Sequence, residues 1–427
     1  MYCSAGDVRV LRDGSDDNVA QYLTIRYVWP SSFITRNENE NLLPGMSARR
    51  SVSDVSHSIS EILIATTLRK CQSKRQATRT TNDDGRKVCC SDTPTVAMND
   101  SKASPDTPVL LGFLCQCTLM LTIVSIAVSL LVGTIWYPHY VGLGMVLPWY
   151  THTLLLDRKE MKDGSPWRSF SQNFYWFPIL RRFLQLKLVL SDELQAAENK
   201  ADENKPPQFL FAVFPHGSNS DYRILMDGML YDTLPKIGPN IRTLAASVLF
   251  RIPLVREFAL WTGCIDASRS VAERALKRGR SVLVLPGGQA EQIRTVHGKE
   301  TIYLHRRKGF VKLALKHNVP LVPVYVFGVS DYYHTWFTFF ELRLWLLKNL
   351  GICIPLAFGL YGSPLSPFPV KTTIVFGNPL SFTIKEPGAP STDELNKAHH
   401  EFSEAIKQLF DQHKMSLGYG ERELETI

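Results

Sequence analysis

The chain has 427 residues, 44% of them hydrophobic, and a net charge of +8, which is enough for one large domain or two domains with extensions. A basic balance is compatible with nucleic acid, anionic lipid headgroups or a phosphorylated ligand as partners. The sequence has no zinc-finger spacing and no basic zipper, so we expect no nucleic-acid partner. Its eight cysteines follow no metal-binding or disulfide pattern, and we expect no metal site.

The composition of residues 1–107 predicts a poorly ordered extension. They are rich in Ser, Thr, Asn, Asp and Arg and contain only short apolar patches. Such a composition cannot bury enough apolar surface to fold by itself. The segment lacks the apolar core of a signal peptide, and its early acidic residues argue against a transit peptide. Regulation, targeting and simple tethering all fit this extension.

The hydrophobic segment at 108–150 predicts a membrane anchor. Val109–Tyr137 carries no formal charge. As a helix it would reach about 43 Å, whereas about 20 residues already span a bilayer. Pro138 interrupts the run, and the apolar stretch that follows is too short for a second straight span. The segment is therefore one span with a re-entrant piece or a hairpin with both ends on one side, and the basic residues that flank it on both sides favour the hairpin.

Residues 151–427 have the pattern of an α/β domain. Three apolar runs, at 209–214, 281–286 and 321–327, read as buried strands. Helical patterns lie between them, and a capping-box sequence at Ser391 begins a further amphipathic helix. This alternation predicts a mostly parallel sheet flanked by helices. Ligands of such sheets gather at the carboxyl ends of the strands.

An aromatic stretch follows the third predicted strand. Residues 331–347 contain seven aromatic side chains, two of them tryptophan. The composition is typical of a segment that lies in a membrane interface. A buried aromatic core fits it equally well.

A histidine follows the first predicted strand almost directly. His216 stands two residues after Phe214, and Asp221 follows it after four intervening residues. Histidine is the usual general base for deprotonating a hydroxyl group near neutral pH. A carboxylate nearby can fix its tautomer and stabilise the imidazolium ion that forms. This spacing often arises by chance, so its weight depends on the motifs that accompany it.

Three further motifs follow in the order that glycerolipid acyltransferases use. They are Gly263–Arg269, Leu285–Glu291 and Val322–Tyr325. Longer blocks narrow the resemblance to the type 2 diacylglycerol acyltransferase family, with its monoacylglycerol and wax acyltransferase relatives. These blocks are Phe214–Gly217, Ala245–Glu257, Pro286–Glu291, Arg306–His317 and Leu409–Lys414. The resemblance extends roughly from Val109 to the C-terminus.

The resemblance implies acyl-CoA:diacylglycerol acyltransfer, which makes triacylglycerol at the endoplasmic reticulum membrane and the lipid droplet surface; a plastid envelope is also compatible. It implies acyl-CoA as co-substrate, a lipid acceptor, a membrane as partner and no other cofactor. Monoacylglycerol, a long-chain alcohol and a lysophospholipid stay open as alternative acceptors. An inactive membrane scaffold that binds lipid is the alternative from another class. The sequence does not set the oligomeric state, and a homo-oligomer is compatible with it.

The resemblance also implies how the base would act. His216 is expected to take the proton of the acceptor hydroxyl as this attacks the thioester, without a covalent enzyme intermediate. Many family members carry a histidine where this chain has Phe214, which leaves His216 as the histidine of the motif. Many members also lack an acid at the place of Asp221. Either Asp221 or Glu291 is therefore the expected partner that orients the base.

Two further groups of residues complete the expected site. Backbone N–H groups of Gly287 and Gly288 are expected to stabilise the oxyanion of the transition state. Arginine and lysine bind phosphate groups through charge-assisted hydrogen bonds. The residues expected to bind the phosphates of coenzyme A are Arg269, Arg307 and Lys308.

Overall fold

The structure is a computed structural model that describes residues 109–427 except residues 203, 352 and 387. The predicted extension at 1–107 lies outside the described residues. Within the described range the chain forms a helical arm followed by an α/β domain. The boundary predicted at residue 150 between anchor and domain stays a prediction.

The helical arm begins with the uncharged segment. Helix α1 spans Val109–Trp136, and in the described part of the chain it is the one helix with the length and hydropathy to cross a membrane. Three shorter helical pieces follow without a long break: Pro138–Val146, α2 (Leu147–Thr151) and His152–Asp157. They turn back on α1, since Val141 packs against Gly133.

Eleven strands can be assigned in the described residues. They are β1 (Lys187–Leu190), β2 (Leu210–Phe214), β3 (Ile241–Ala245), β4 (Cys264–Asp266), β5 (Ser281–Val284), β6 (Glu300–Ile302), β7 (Leu321–Phe327), β8 (His334–Thr335), β9 (Ala357–Phe358), β10 (Thr373–Phe376) and β11 (Leu424–Thr426). Seven of them form the central sheet in the order β1-β10-β7-β2-β5-β3-β4. All neighbours in it run parallel except β10 and β7, which confirms the predicted mostly parallel sheet.

Helices cover both faces of this sheet. They are α3 (Arg168–Asn173), α4 (Phe177–Phe183), α5 (Asp192–Lys200), α6 (Asp221–Thr233), α7 (Val255–Trp261), α8 (Arg269–Lys277), α9 (Gly288–Gln292), α10 (Gly309–His317) and α12 (Thr392–Leu417). A further helix, α11 (Phe340–Leu350), lies between β7 and β10 in the chain. Along β2, Phe211 and Val213 belong to one hydrophobic cluster, and Leu210 and Ala212 belong to the other. Such burial on both faces explains why the central strands are continuous apolar runs.

Local sequence explains where individual elements begin and end. The strand predicted at 281–286 stops at Val284, because Pro286 has no N–H to donate to a neighbouring strand. Helix α12 begins with the predicted capping box: Ser391 Oγ accepts from the N–H of Glu394 at 3.2 Å, and Glu394 Oε2 accepts from the N–H of Ser391 at 2.8 Å.

The aromatic stretch belongs to an insert between β7 and β10, at residues 328–372, which we call the aromatic insert. The short strands β8 and β9 pair with each other inside it, and α11 lies between them. Its first aromatic residues, Tyr332 and Tyr333, are buried, whereas Trp336 and Phe339 are exposed. The insert therefore contains both a buried aromatic part and an exposed one.

Candidate active site

The candidate site lies at the carboxyl end of the central strand β2. Because β2 pairs in parallel with β5 on one side and with β7 on the other, the ends of the three strands meet at one edge of the sheet. His216 follows β2, the turn at Gly287 follows β5, and Tyr333 follows β7. This is the edge at which open α/β sheets bind their ligands.

A backbone carbonyl determines the tautomer of His216. The ring Nδ1 lies 3.0 Å from the carbonyl oxygen of Gly217. A carbonyl oxygen only accepts, so Nδ1 carries the proton and Nε2 keeps its lone pair. Burial lowers the pKa of His216, which keeps the ring neutral at physiological pH. In the described part of the chain, neither Asp221 nor Glu291 forms a hydrogen bond with the ring.

Gly217 can adopt this turn because it has no side chain. Its φ of +72° lies in the left-handed region that glycine adopts at little cost. A Cβ atom at this position would lie only 2.6 Å from Cγ2 of Val329. A larger residue would therefore displace the carbonyl group that binds the His216 ring.

Glu291 lies under the loop that carries His216. Its Oε1 accepts from the backbone N–H of His216, and its Oε2 accepts from the backbone N–H of Tyr303 at 2.9 Å. The carboxyl also packs against Gly287, where a Cβ atom would have no room. Burial raises the pKa of Glu291 to about 7, although the two N–H donors and Arg307 favour the ionised form. Glu291 thus contacts the backbone of the candidate base and not its ring.

Asp221 joins three parts of the molecule at the start of α6. Its Oδ1 accepts from Nε2 of Gln116 on α1 at 3.0 Å. Its Oδ2 accepts from the hydroxyl of Tyr333, in the aromatic insert, at 2.8 Å. Burial raises the pKa of Asp221 to about 6, and the two donors act in the opposite direction.

The sequence analysis missed Gln116 and Tyr333. The sequence contains a signal for Gln116, since it is the one carboxamide in the uncharged run Val109–Tyr137. It is only 5% exposed, whereas most of α1 is exposed. A buried polar group on an otherwise apolar helix needs a hydrogen-bond partner, and here that partner is Asp221.

The glycine turn after β5 lies beside Glu291. In the described residues, the N–H groups of Gly287 and Gly288 donate to no protein acceptor. The Gly287 carbonyl accepts a long hydrogen bond from Arg307 Nη2, at 3.4 Å. The Arg307 guanidinium also lies over the ring of Tyr303, 5.1 Å from its centroid. The turn is therefore packed on its carbonyl side and has free donors on its amide side.

The three predicted phosphate-binding residues have different neighbours. Arg307 lies at the glycine turn, whereas Lys308 Nζ donates to Asn396 Oδ1 of α12 at 2.7 Å. Arg269 begins α8, where its side chain is 65% exposed and lies 2.9 Å from Glu273. The ion pair of Arg269 is thus with its own helix, whereas Arg307 contacts the glycine turn.

A cavity of about 250 Å³ opens between α8 and α10. Arg269 and Lys312 line it together with apolar side chains from the ends of β3 and β5, Leu244 and Val284. The sequence analysis did not single out Lys312. The sequence could have indicated Lys312, because it follows Lys308 by four residues, which is about one helical turn. The cavity therefore combines an apolar floor with two cations.

Comparisons with known proteins identify one family. The family model described as diacylglycerol acyltransferase matches residues 138–425. The human diacylglycerol O-acyltransferase 2 is 29% identical over 65% of this chain and 73% of its own length. The human 2-acylglycerol O-acyltransferase 3 is 28% identical over 63% of this chain and 80% of its own. The human acyl-CoA wax alcohol acyltransferase 2 is 31% identical over 72% of this chain and 91% of its own.

Proposed function

This chain belongs to the diacylglycerol acyltransferase family, and on that premise we propose that it is a membrane-bound enzyme that transfers an acyl group from acyl-CoA to the free hydroxyl of diacylglycerol. The product is triacylglycerol. The observation that carries the proposed mechanism is the hydrogen bond between His216 Nδ1 and the Gly217 carbonyl, which leaves Nε2 as a free base. The endoplasmic reticulum membrane and the lipid droplet surface are the proposed locations, and the long apolar helix α1 supports membrane attachment.

In the proposed reaction, Nε2 of His216 takes the proton from the acceptor hydroxyl. The hydroxyl oxygen attacks the thioester carbonyl carbon, and the carbonyl oxygen becomes an oxyanion. The free N–H groups of Gly287 and Gly288 stabilise this oxyanion. The intermediate then collapses, the carbon–sulfur bond breaks, and the leaving thiolate receives the proton from the imidazolium ion.

Glu291 acts as a positioning residue in this mechanism. Its two oxygens connect the backbone of the histidine loop to the backbone at Tyr303. The carboxyl also packs against Gly287, so the loop that carries the base and the turn that carries the oxyanion donors share one support. The tautomer of the base depends on the Gly217 carbonyl, so no acid has to contact the ring.

The cations near the sheet edge bind the phosphate groups of coenzyme A. Arg269 and Lys312 line one cavity, and its apolar floor suits the pantetheine part of the co-substrate. Lys308 and Arg307 follow on the segment that leads into α10. Positive charge is concentrated along this path, and this supports the assignment.

The acceptor differs among the relatives of this chain. The relatives of similar identity differ in the acceptor that their names state: a diacylglycerol, a 2-acylglycerol or a wax alcohol. The same base and oxyanion donors would serve each of these hydroxyl groups. A monoacylglycerol or a long-chain alcohol is therefore the second candidate for the acceptor.

An acyl-transfer assay tests the proposal. Membranes from triacylglycerol-deficient cells that express this chain receive labelled oleoyl-CoA together with diacylglycerol, monoacylglycerol, a fatty alcohol or a lysophosphatidate. We expect labelled triacylglycerol from diacylglycerol. We expect a fall of about 100-fold or more in His216→Ala, because the general base is lost.

His400→Ala is the matched control, because His400 is exposed on α12. It should leave the activity unchanged. Product from another acceptor alone would replace diacylglycerol in the proposal and keep the mechanism. Full activity in His216→Ala would overturn the mechanism, and no transfer to any acceptor would favour the inactive scaffold.

A further inference from the structure

The aromatic insert exposes five large apolar side chains within ten residues of sequence. We call this set the apolar surface of the insert; its members are Trp336, Phe337, Phe339, Leu342 and Trp345. Phe339 is 72% exposed and Trp336 is 60% exposed. Large exposed apolar patches mark sites of interaction with a protein or a membrane.

Helix α11 buries a charged side chain and exposes apolar ones, whereas a helix that packs on a domain buries its apolar side chains. In the described part of α11 the one fully buried side chain is Arg343. Its guanidinium donates to the carbonyl groups of Trp336, Thr338 and Ile354, which holds the two ends of the segment together. Leu342 and Trp345 point outward. By contrast, α12 buries Phe402, Ile406 and Phe410.

The insert is joined to the helical arm. The ring of Phe113 on α1 contacts that of Tyr361 edge to face, with 4.9 Å between the centroids. One turn further along α1, Cys117 Sγ lies 3.8 Å from Ser363 Oγ. The aromatic insert therefore carries the apolar surface and also contacts α1.

The insert also contacts the candidate active site at three places. The Tyr333 hydroxyl donates to Asp221, and the Thr335 hydroxyl accepts from the N–H of His297 at 3.2 Å. The Cys353 thiol lies 3.7 Å from the carbonyl oxygen of Gln289, in the helix that follows the glycine turn. The insert therefore contacts the start of α6 and, at Gln289 and His297, the segment that carries Glu291.

We propose that the apolar surface of the insert lies in the lipid bilayer, at the boundary between headgroups and acyl chains, as a second membrane contact beside α1. The occupant is lipid because the insert that carries this surface also contacts α1, a 28-residue helix with the length and hydropathy to cross a membrane. Tryptophan favours this depth in a bilayer, and Lys348, exposed on α11, suits an anionic headgroup.

Two membrane contacts restrict the tilt of the domain more than one contact can. With both in place, the carboxyl edge of the sheet faces the bilayer surface, and an acceptor dissolved in the bilayer reaches the site without crossing water. This consequence rests on the proposed function. The lipid contact itself does not, and it holds for any acceptor.

Photocrosslinking tests the contact independently of catalysis. A diazirine amino acid replaces Leu342 or Trp345 in the full chain, and native membranes that contain the protein are irradiated. Val128, exposed on α1, is the positive reference, and Met415, exposed on α12, is the negative one. We expect lipid adducts at 342 and 345 in yields close to that at 128 and several-fold above that at 415.

Yields at 342 and 345 that match the yield at 415 would overturn the proposal. Adducts with a partner protein or with a second copy of this chain would also overturn it, because the occupant would then not be lipid. Two positions are used so that a local effect of one replacement cannot decide the result.

A charge substitution tests the consequence for the site. We expect Leu342→Asp to lower transfer to an acceptor embedded in vesicles several-fold more than transfer to a short-chain acceptor in detergent. Met415→Asp, with the same change at another exposed apolar residue, should not alter this ratio. An equal loss with both acceptors would contradict the oriented approach to the bilayer, and it would leave the crosslinking result unaffected.

Discussion

The carboxyl group of Asp221 is held by two donors from different parts of the chain, Gln116 and Tyr333. Each oxygen has one donor, and neither points to the His216 ring. The residue next to the base thus connects the arm, α6 and the aromatic insert. We infer that Asp221 holds these three parts together, a role that does not require its charge.

Replacement of Asp221 by asparagine should therefore preserve most of the activity. Asparagine Oδ1 can still accept from Gln116, and its Nδ2 can donate to the Tyr333 hydroxyl, which also accepts. We expect kcat to fall less than about ten-fold, because both hydrogen bonds are kept. Asp221→Ala, which loses both, is the comparison and should lose more activity and stability. A loss in Asp221→Asn as large as in His216→Ala would show that the charge is needed.

The same variant should change how stability depends on pH. The pKa of Asp221 is raised to about 6 from an ordinary value of 3.8. A raised pKa contributes stability that is fully present below pH 3.8 and is lost as the pH rises through about 6. The melting temperature of wild type should thus fall relative to Asp221→Asn between pH 4.5 and pH 7. A constant difference across this range would contradict the burial of the charge.

At the scale of elements, helix α1 has two parts. Its first turns pack on the domain, where Gly112 lies against Phe183 and leaves no room for a side chain. Cys115 and Leu119 belong to the hydrophobic core of the domain. Later positions such as Leu131 and Ile135 are exposed. The first part of α1 therefore packs on the domain beside Asp221. The remainder of α1 is the exposed apolar part of the helical arm.

Gln116→Leu should separate these two parts. Leucine is apolar and does not hinder membrane insertion, but it leaves one oxygen of Asp221 without a donor in a buried place, at a cost of about 1–3 kcal/mol. We expect lower kcat and a lower melting temperature with unchanged membrane attachment. The kcat and the melting temperature should be measured on the same solubilised preparation.

Ser125→Leu is the matched control, because Ser125 is an exposed polar residue on the same helix. It should leave both quantities unchanged. Equal losses in the two variants would mean that any polar-to-apolar change in α1 disturbs the enzyme, and that Gln116 has no particular role.

At the scale of the whole molecule, the candidate base and the cavity lined by cations lie at different places along the sheet. The base and the glycine turn lie at the ends of β2 and β5, beside the aromatic insert. The cavity with Arg269 and Lys312 lies further along the sheet, between α8 and α10. On the proposed function, the water-soluble co-substrate enters at this cavity and the membrane-soluble acceptor enters beside the insert.

This separation predicts a specific kinetic effect. Arg269→Gln combined with Lys312→Gln should raise KM for acyl-CoA on the order of five-fold, because exposed ion pairs contribute about 1 kcal/mol each at most. The KM for the lipid acceptor and kcat should change little. Lys397→Gln is the control, since Lys397 is 80% exposed on α12. An equal effect on both KM values would contradict the assignment of the cavity to the co-substrate.

Sequence reasoning was most successful where the signal is local. The long uncharged helix, the buried strands β2 and β7 and the capping box of α12 follow from hydropathy, periodicity and hydrogen-bonding side chains at fixed spacing, and all are confirmed. The roles expected for His216 and the other site residues stay predictions. For the aromatic stretch, composition predicts burial and exposure equally, because aromatic side chains favour a core and a membrane interface alike.

The sequence by itself determined the family, the mostly parallel sheet and the strand end at which His216 lies, because each depends on residues close together in the chain. Only the tertiary structure decided what Asp221 and Glu291 contact. Glu291 is 75 residues from His216, and Gln116 is 105 residues from Asp221. No spacing rule connects such pairs, since their contacts exist only after the sheet has formed and the helical arm has packed against it.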